Sequence, residues 1–252
     1  MFRNEKHATT GPLARLRPQG EACAFLFDRR PRFIDALPVT RSPFKPMGLA
    51  HSKHKAELLE AGWHSRGYLP HFDGREVPQF LSLHLFDSIP ASVLARWQRE
   101  LDVLNSKTDR ILLQRRIEKY LDQGYGQAFL KQPRIASMIQ NVLLGSDGES
   151  YRLSAWVVMP NHIHLLITRF ENYTLAEIMQ SLKSITSHKA NRILNRGGQF
   201  WMPDYFDRYI RNAKHFASAI RYIEDNPVKA RLCSRPEDWP FSSAWFRARK
   251  ER

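Results

Sequence analysis

Apolar residues change their spacing several times along this chain, and each change predicts an element. Gly67 to Pro90 reads as a β-hairpin, because Phe80, Leu81, Leu83, Leu85 and Phe86 form a β-rich apolar run after a turn at Gly74. Pro90-Ala91-Ser92 opens a helix in which Val93, Leu94, Trp97, Leu101 and Leu104 recur at helical spacing. A second helix is expected over about 109–122, before Gly124 and Gly126 break the pattern. A third is expected over about 133–144, before the turn sequence Gly145-Ser146-Asp147-Gly148. Strands follow at 151–159 and 162–168, joined by a tight Pro160-Asn161 turn. The next helix starts with a capping box, Thr174 and Glu177, in which each side chain satisfies a free backbone N–H. Its buried stripe is Leu175, Ile178, Met179, Leu182 and Ile185. An aromatic cluster, Phe200, Trp201, Tyr205, Phe206 and Tyr209, precedes a last helix over 213–225. Pro227 should end that helix, since the residue before a proline disfavours helical torsions. The order of strands and helices predicts an α+β fold around a small antiparallel sheet, not a doubly wound one.

Residues 1–46 depart from this patterning. They hold six of the fifteen prolines, and Arg29-Arg30-Pro31-Arg32 is poor material for regular structure. The expectation is an N-terminal extension over 1–62 without regular order, with Met47 as an alternative start. No apolar run approaches the roughly 20 residues that span a bilayer, and no secretory signal opens the chain, so the expected setting is the cytoplasm, away from membranes. Cys23 and Cys233 lie far apart and form neither a metal pair nor a disulfide framework. Charge changes the picture more. Lys plus Arg number 39 against 25 Asp plus Glu, a net +14, which points to a polyanionic partner, with nucleic acid preferred.

The candidate chemistry begins at His162 and His164. On a strand, residues i and i+2 share a face, so two imidazoles can converge on one divalent ion while Ile163 enters the core. Two hydrogen-bonded histidines would satisfy the same pattern, but polar residues in a strand that continues Leu165-Leu166-Ile167 need a reason. Two imidazoles alone hold a catalytic metal weakly, so a third ligand is expected. Tyr222 and Asn226 are an i, i+4 pair on one helical face, able to offer a phenol and an amide oxygen to a common volume. A core tyrosine with an asparagine cap before proline explains the same residues. For phosphate chemistry Mg²⁺ or Mn²⁺ suits such a site better than Zn²⁺. The basic side chains Lys183, Lys189, Arg192, Arg208 and Arg211 are candidate DNA contacts, with aromatics supporting unpaired bases.

Several motifs carry a family resemblance. Trp156-Val157-Val158-Met159-Pro160-Asn161-His162-Ile163-His164-Leu165-Leu166 resembles the HUH motif of single-tyrosine transposases, in which U is a bulky apolar residue. Three further segments resemble the REP-associated tyrosine transposases in order and spacing: 200–211, with Phe200-Trp201 and Asp204-Tyr205-Phe206-Asp207-Arg208-Tyr209; 221–230, with Arg221-Tyr222-Ile223-Glu224 and Asn226-Pro227-Val228-Lys229-Ala230; and Asp238-Trp239-Pro240-Phe241-Ser242-Ser243-Ala244. Arg66-Gly67-Tyr68-Leu69-Pro70-His71-Phe72 is similar to a subgroup's opening. The resemblance covers about 63–245. It implies a ferredoxin-like antiparallel sheet with flanking helices, with extra helices inserted between the first hairpin and the histidine strands. It implies a catalytic domain over 63–246 followed by a basic tail, 247–252. It implies a nucleophile at Tyr222, with Tyr205 as the rival, a third metal ligand at Asn226, and a 5′-phosphotyrosine intermediate. The implied partner is single-stranded DNA, in hairpin-containing repeats, handled by a monomer or a homodimer. A catalytically silent, sequence-specific DNA-binding protein derived from a transposase is the alternative. Two positions depart from the family pattern. Leu182-Lys183-Ser184-Ile185-Thr186 stands where Trp-Lys-Ser-Tyr-Thr is usual, and Arg231 stands where the family has a glycine, at a site suited to positive φ.

Overall fold

The structure, a computed structural model, describes residues 63–65, 70–72, 76–103 and 116–250. The expectations for 1–62, for the turn at Gly74 and for helix residues 109–115 lie outside the described residues. In chain order the elements are β1 (Trp63–Ser65), β2 (Pro70–Phe72), β3 (Gln79–His84), α1 (Ala91–Val103), α2 (116–122), α3 (Pro133–Gly145), β4 (Tyr151–Val158), β5 (His162–Arg169), α4 (Leu175–Ile193), β6 (Phe206–Tyr209), α5 (Ala213–Lys229) and α6 (Ser243–Lys250).

All six residues of β3 are buried, so both its edges and both its faces need cover. The main sheet supplies it in the order β4-β5-β3-β6, with every neighbouring pair antiparallel. This is the order of a ferredoxin-like sheet, with α1, α2 and α3 between its first two strands. The expected hairpin across Gly74 takes another form. β2 pairs with β1 in a separate two-stranded ribbon, and β3 takes β5 and β6 as partners. The ribbon is still tied to the sheet, since the Phe72 N–H donates to Asp207 Oδ2 at 2.9 Å. β6 itself emerges from the aromatic cluster, where bulky side chains hid a short edge strand.

Alternation along the strands divides the interior into two layers. One face presents Leu81, Leu83, Ile163, Leu165 and Ile167 to Ile135, Ile139 and Leu143 of α3 and to Leu175, Ile178, Met179 and Leu182 of α4. The other presents Phe80, Ala155, Val157 and Leu166 to Phe216, Ala219 and Ile223 of α5. A register shift between Leu153 and Ala155 lets β4 serve both layers. The α4 capping box forms as expected: Thr174 N–H donates to Glu177 Oε2 at 2.8 Å, and Glu177 N–H to Thr174 Oγ1 at 3.2 Å. Its stripe ends one turn early. Ile185 is 41% exposed, and Thr186 turns inward, accepting from Trp201 Nε1 at 2.8 Å. Residues 247–250, expected as a tail, belong to α6, where Arg247 pairs with Glu224 at 2.5 Å.

α5 also departs from expectation, running through Pro227 to Lys229. In the last turn the missing proline N–H frees only one carbonyl, and burial of Pro227 offsets that loss. The helix then closes in a Schellman motif. Arg231 N–H donates to Val228 O at 2.9 Å and Leu232 N–H to Pro227 O at 2.8 Å, with Arg231 at φ 58°. Arginine thus occupies the left-handed position that favours glycine. Arg231→Gly is therefore expected to stabilise the chain by about 1 kcal/mol, read as a rise in the urea midpoint at unchanged m-value. An unchanged midpoint would show that the arginine side chain compensates for the strain.

Candidate active site and metal centre

β5 turns His162, His164 and Leu166 to the α5 side of the sheet, away from α3 and α4. Both imidazoles are fully buried, 4.7 Å apart between ring centroids. Each is oriented through Nδ1. His162 Nδ1 lies 2.7 Å from Asn161 Oδ1, and His164 Nδ1 lies 2.5 Å from Ser82 Oγ on β3. The Asn161 amide is itself oriented, because Nδ2 donates to Leu121 O and Tyr125 O, both at 3.1 Å. Its Oδ1 must then accept from His162, which leaves the Nε2 lone pair of that ring free to bind an ion.

Burial keeps both rings neutral. Desolvation pushes His162 well below its ordinary range, helped by His164 and His84, and brings His164 down to about 3, helped by Lys229. Neutral imidazole is the metal-binding form. His84, opposite His162 in the ladder, is also buried, and desolvation lowers it to about 4. Its Nδ1 is satisfied by Ser88 Oγ at 3.0 Å, so it reads as a structural histidine. On acidification the unfolded chain protonates this histidine first, near 6.5, so stability is full above that pH and falls toward pH 4. This one residue is expected to cost about 3 kcal/mol over that window. The fall in urea midpoint of the metal-free chain from pH 7 to pH 4.5 should therefore be smaller in His84→Asn, with His162 and His164 supplying the rest; an equal drop in variant and parent would refute it.

A third potential ligand comes from α2. Asp122 Oδ1 lies 3.7 Å from His162 Nε2, and the ligand atoms of Asp122, His162 and His164 all lie within 4.8 Å of one another. Atoms facing each other across an octahedral ion with bonds near 2.1 Å are about 4.2 Å apart, so the spacing suits one divalent cation. Burial raises the Asp122 carboxyl to about 6, with Lys229 opposing. His162 Nε2, His164 Nε2, Asp122 Oδ1 and both amide atoms of Asn226 are buried without a hydrogen bond. Such atoms are costly unless something binds them. The donor set of His162, His164 and Asp122 therefore fits a metal ion.

α5 brings Tyr222 to the same volume. Its ring meets His164 edge-on at 5.5 Å and Phe80 at 5.6 Å, and Asn226 follows one turn later on the same helical face. Desolvation, then the charges of Glu118 and Asp122, raise the phenol well above its ordinary range. Lys229 Nζ sits 4.9 Å over the Tyr222 ring, and the Arg208 guanidinium, whose charge also reaches this phenol, lies 5.8 Å over Phe80. Tyr205, the rival, packs into the opposite layer, with Lys183 Nζ 5.2 Å from its ring.

The five basic candidates divide. Arg208 and Arg211 stay exposed on or beside β6, the latter stacked over Tyr209 at 5.7 Å. Lys189 and Arg192 are exposed on α4, the helix that covers the sheet face opposite the imidazoles. Lys183 departs from expectation. Its amine donates to Met202 O at 2.9 Å, Pro203 O at 2.9 Å and Asp204 O at 3.3 Å, so all three N–H bonds brace a loop instead of meeting a phosphate. Asn161, Ser82, Asp122 and Glu118 were not anticipated as site residues. An asparagine directly before the first histidine and a serine inside the apolar β3 run were legible signals; the two acids gave none. Asn161→Ala is expected to weaken Mn²⁺ binding 10- to 100-fold, about the loss of a ligand-orienting partner, measurable by calorimetry; unchanged affinity would separate the amide from the site.

Residues 128–226 match the family profile described as "Transposase IS200 like". The REP-associated tyrosine transposase of Escherichia coli (strain K12) is 30% identical over 95 residues, 37% of this chain and 54% of its own length. A Haemophilus influenzae (strain ATCC 51907 / DSM 11121 / KW20 / Rd) protein provisionally given the same name is 31% identical over 96 residues, 34% of this chain and 54% of its own. The chain thus spans about half the length of the curated relatives it matches. A solved structure of a REP-associated tyrosine transposase bound to a REP hairpin aligns over 71% of this chain and 81% of its own, at 18% identity and TM-score 0.42. No helix among the described residues is long and apolar enough to cross a membrane. Through the segment that carries the paired histidines, Tyr222 and Asn226, the chain is similar to the IS200-like transposases.

Proposed function

We propose that this chain is a DNA strand transferase that cleaves and rejoins single-stranded DNA through a 5′-phosphotyrosine formed on Tyr222. The domain over 63–246 is its catalytic unit. The observation that carries the reading is the Tyr222 ring 5.5 Å from His164, beside imidazole nitrogens that have no partner. His162, His164, Asn226 and Asp122 would hold Mg²⁺ or Mn²⁺, which supplies Lewis-acid polarisation of the scissile phosphate when bound.

The chain's own residues then have defined tasks. Packing against Phe80 and His164 fixes the Tyr222 ring, so its oxygen meets phosphorus from one direction, in line with the departing 3′ oxygen. The covalent bond conserves the energy of the phosphodiester, which lets a second DNA end be joined without ATP. Lys229 and Arg208 bring positive charge beside the phenol, where the phosphate must sit. Arg211 extends that charge along β6. Lys189 and Arg192, on the far layer, would touch only DNA that wraps around the domain. The partner by this reading is a hairpin-containing single strand, as the relatives' REP-associated name implies, handled by a monomer or homodimer.

The test is a denaturing gel of the chain incubated with a labelled hairpin oligonucleotide carrying a single-stranded flank, in Mg²⁺ or Mn²⁺. A covalent protein–DNA adduct supports the reading. Binding without adduct in every divalent ion would favour the alternative, a silent DNA-binding descendant of a transposase.

A further inference from the structure

Two large rings stand out on the surface, Tyr125 at 50% exposure and Phe86 at 45%, and the fold mounts them on adjoining segments. Tyr125 lies in the loop that leads from α2 to α3, and that loop is clamped twice to the turn before β5. Asn161 Nδ2 donates to Tyr125 O at 3.1 Å, and Leu130 N–H donates to Pro160 O at 3.0 Å. Next to Tyr125, Gly126 sits at φ 78°, and a Cβ there would come within 2.3 Å of Asp87 O and 2.6 Å of Ser88 Cα. The loop therefore lies directly against the segment that carries Phe86. Phe86 is pinned in turn, its N–H donating to Phe200 O at 3.0 Å. Beneath Tyr125 the packing is aromatic. Its ring meets Tyr120 at 4.7 Å with the planes 31° apart, and Tyr120 meets Trp97 edge-on at 5.6 Å. Phe129, on the same loop, stacks on Phe200 at 6.3 Å and has the Arg196 guanidinium 4.9 Å over its ring.

Exposed aromatic surface on so firm a mount is suited to binding, because a rigid platform loses little freedom when it is covered. A second copy of the chain is a poor occupant, since each carries a net charge of +14. A polyanion that bears flat apolar groups answers both the charge and the rings. The mount also has a meaning for the site. Asn161 holds Tyr125 O through Nδ2 and His162 Nδ1 through Oδ1, so whatever rests on Tyr125 is kept at a fixed offset from the imidazoles. Resting on the reading above of an enzyme of single-stranded DNA, we infer that Tyr125 is a stacking platform for an unpaired base in the strand that flanks the scissile phosphate, with Phe86 extending the ledge. The base continues the stack that Tyr120 and Tyr125 begin. Every base has a π-face, so this contact orders the strand without reading its sequence. Tyr125 lies outside residues 128–226, the segment matched to the family profile.

The experiment measures binding of a fluorescent hairpin oligonucleotide with a single-stranded flank, in EDTA so that no strand is cut, for the parent, Tyr125→Phe and Tyr125→Leu. Each flank position is replaced in turn by an abasic site. Tyr125→Leu should weaken binding of the intact flank about 5- to 100-fold, the worth of one stacked base, and Tyr125→Phe should bind like the parent. One abasic position should weaken the parent by a similar factor and Tyr125→Leu by no more than about twofold. That non-additivity separates stacking from a loss of folding, which would lower affinity for every oligonucleotide alike. Equal abasic losses in parent and Tyr125→Leu at every position, or parental affinity in Tyr125→Leu, overturn the inference while leaving the phosphotyrosine reading intact. A parent that binds no flanked hairpin and forms no adduct in Mn²⁺ defeats that reading, and this inference with it.

Discussion

Tyr222→Phe should bind its hairpin DNA with near-parental affinity and form no covalent adduct, with strand cleavage lowered by a factor on the order of 10⁴ or more, the scale of loss when a covalent nucleophile is deleted. The substitution removes one oxygen and leaves the ring where it is, packed on Phe80 and His164. Tyr222 is half-buried and the change removes only its hydroxyl, so folding should lose no more than about 1 kcal/mol. The comparison with Tyr205→Phe makes the assay specific. Tyr205 lies in the α3 and α4 layer under the Lys183 amine, across the sheet from the imidazoles, and its variant should form adduct at the parental rate. Cleavage that survives Tyr222→Phe would mean that water, not the phenol, attacks. The chain would then be a hydrolytic nuclease built on the same cluster.

The residues of the candidate site were legible to different degrees. His162 and His164 could be placed on one face because a strand repeats every two residues, and the apolar company of Leu165 and Leu166 made them conspicuous. Tyr222 and Asn226 could be placed together because a helix repeats every 3.6 residues. Local periodicity says nothing of which strand lies beside which. A serine in the apolar run marks Ser82 as unusual, but its partner His164, 82 positions away, is set by the β3–β5 register. Asp122 and Glu118 were harder still. They sit on a helix held to α1 by a small apolar core, and the grip of Asn161 on its last turn ties it to the start of β5. The hairpin expected around Gly74 failed for a related reason. An apolar run such as Phe80 to Leu85 looks the same at a sheet edge and at its centre, and burial of all six β3 residues decides for the centre. The basic residues were read by charge alone, which cannot separate Arg208 beside the phenol from Lys183, whose amine closes a loop.

Asn226→Leu should make the metal-free chain more stable and the metal-loaded one less so. The Asn226 amide is buried, and neither its nitrogen nor its oxygen makes a hydrogen bond within the protein. Leaving such a group unpaired costs about 1–3 kcal/mol, and a leucine, which keeps the same branched skeleton, removes the penalty without opening a cavity. In EDTA, the urea stability of the variant should therefore rise by about 1–2 kcal/mol. Manganese reverses the order. An ion that binds only the folded chain adds about 2.7 kcal/mol at one hundred times its Kd, a rise in Tm of roughly 5–10 °C for a domain of this size. That gain should belong to the parent and be largely lost in Asn226→Leu, and lost entirely in His162→Ala, which deletes an imidazole whose only open nitrogen faces the same volume. If both results hold, buried polar atoms that cost stability alone serve as ligands when an ion is bound. Were Asn226→Leu to destabilise the EDTA-treated chain, the amide would have to be serving the fold and not the ion, and Asn226 would leave the ligand set.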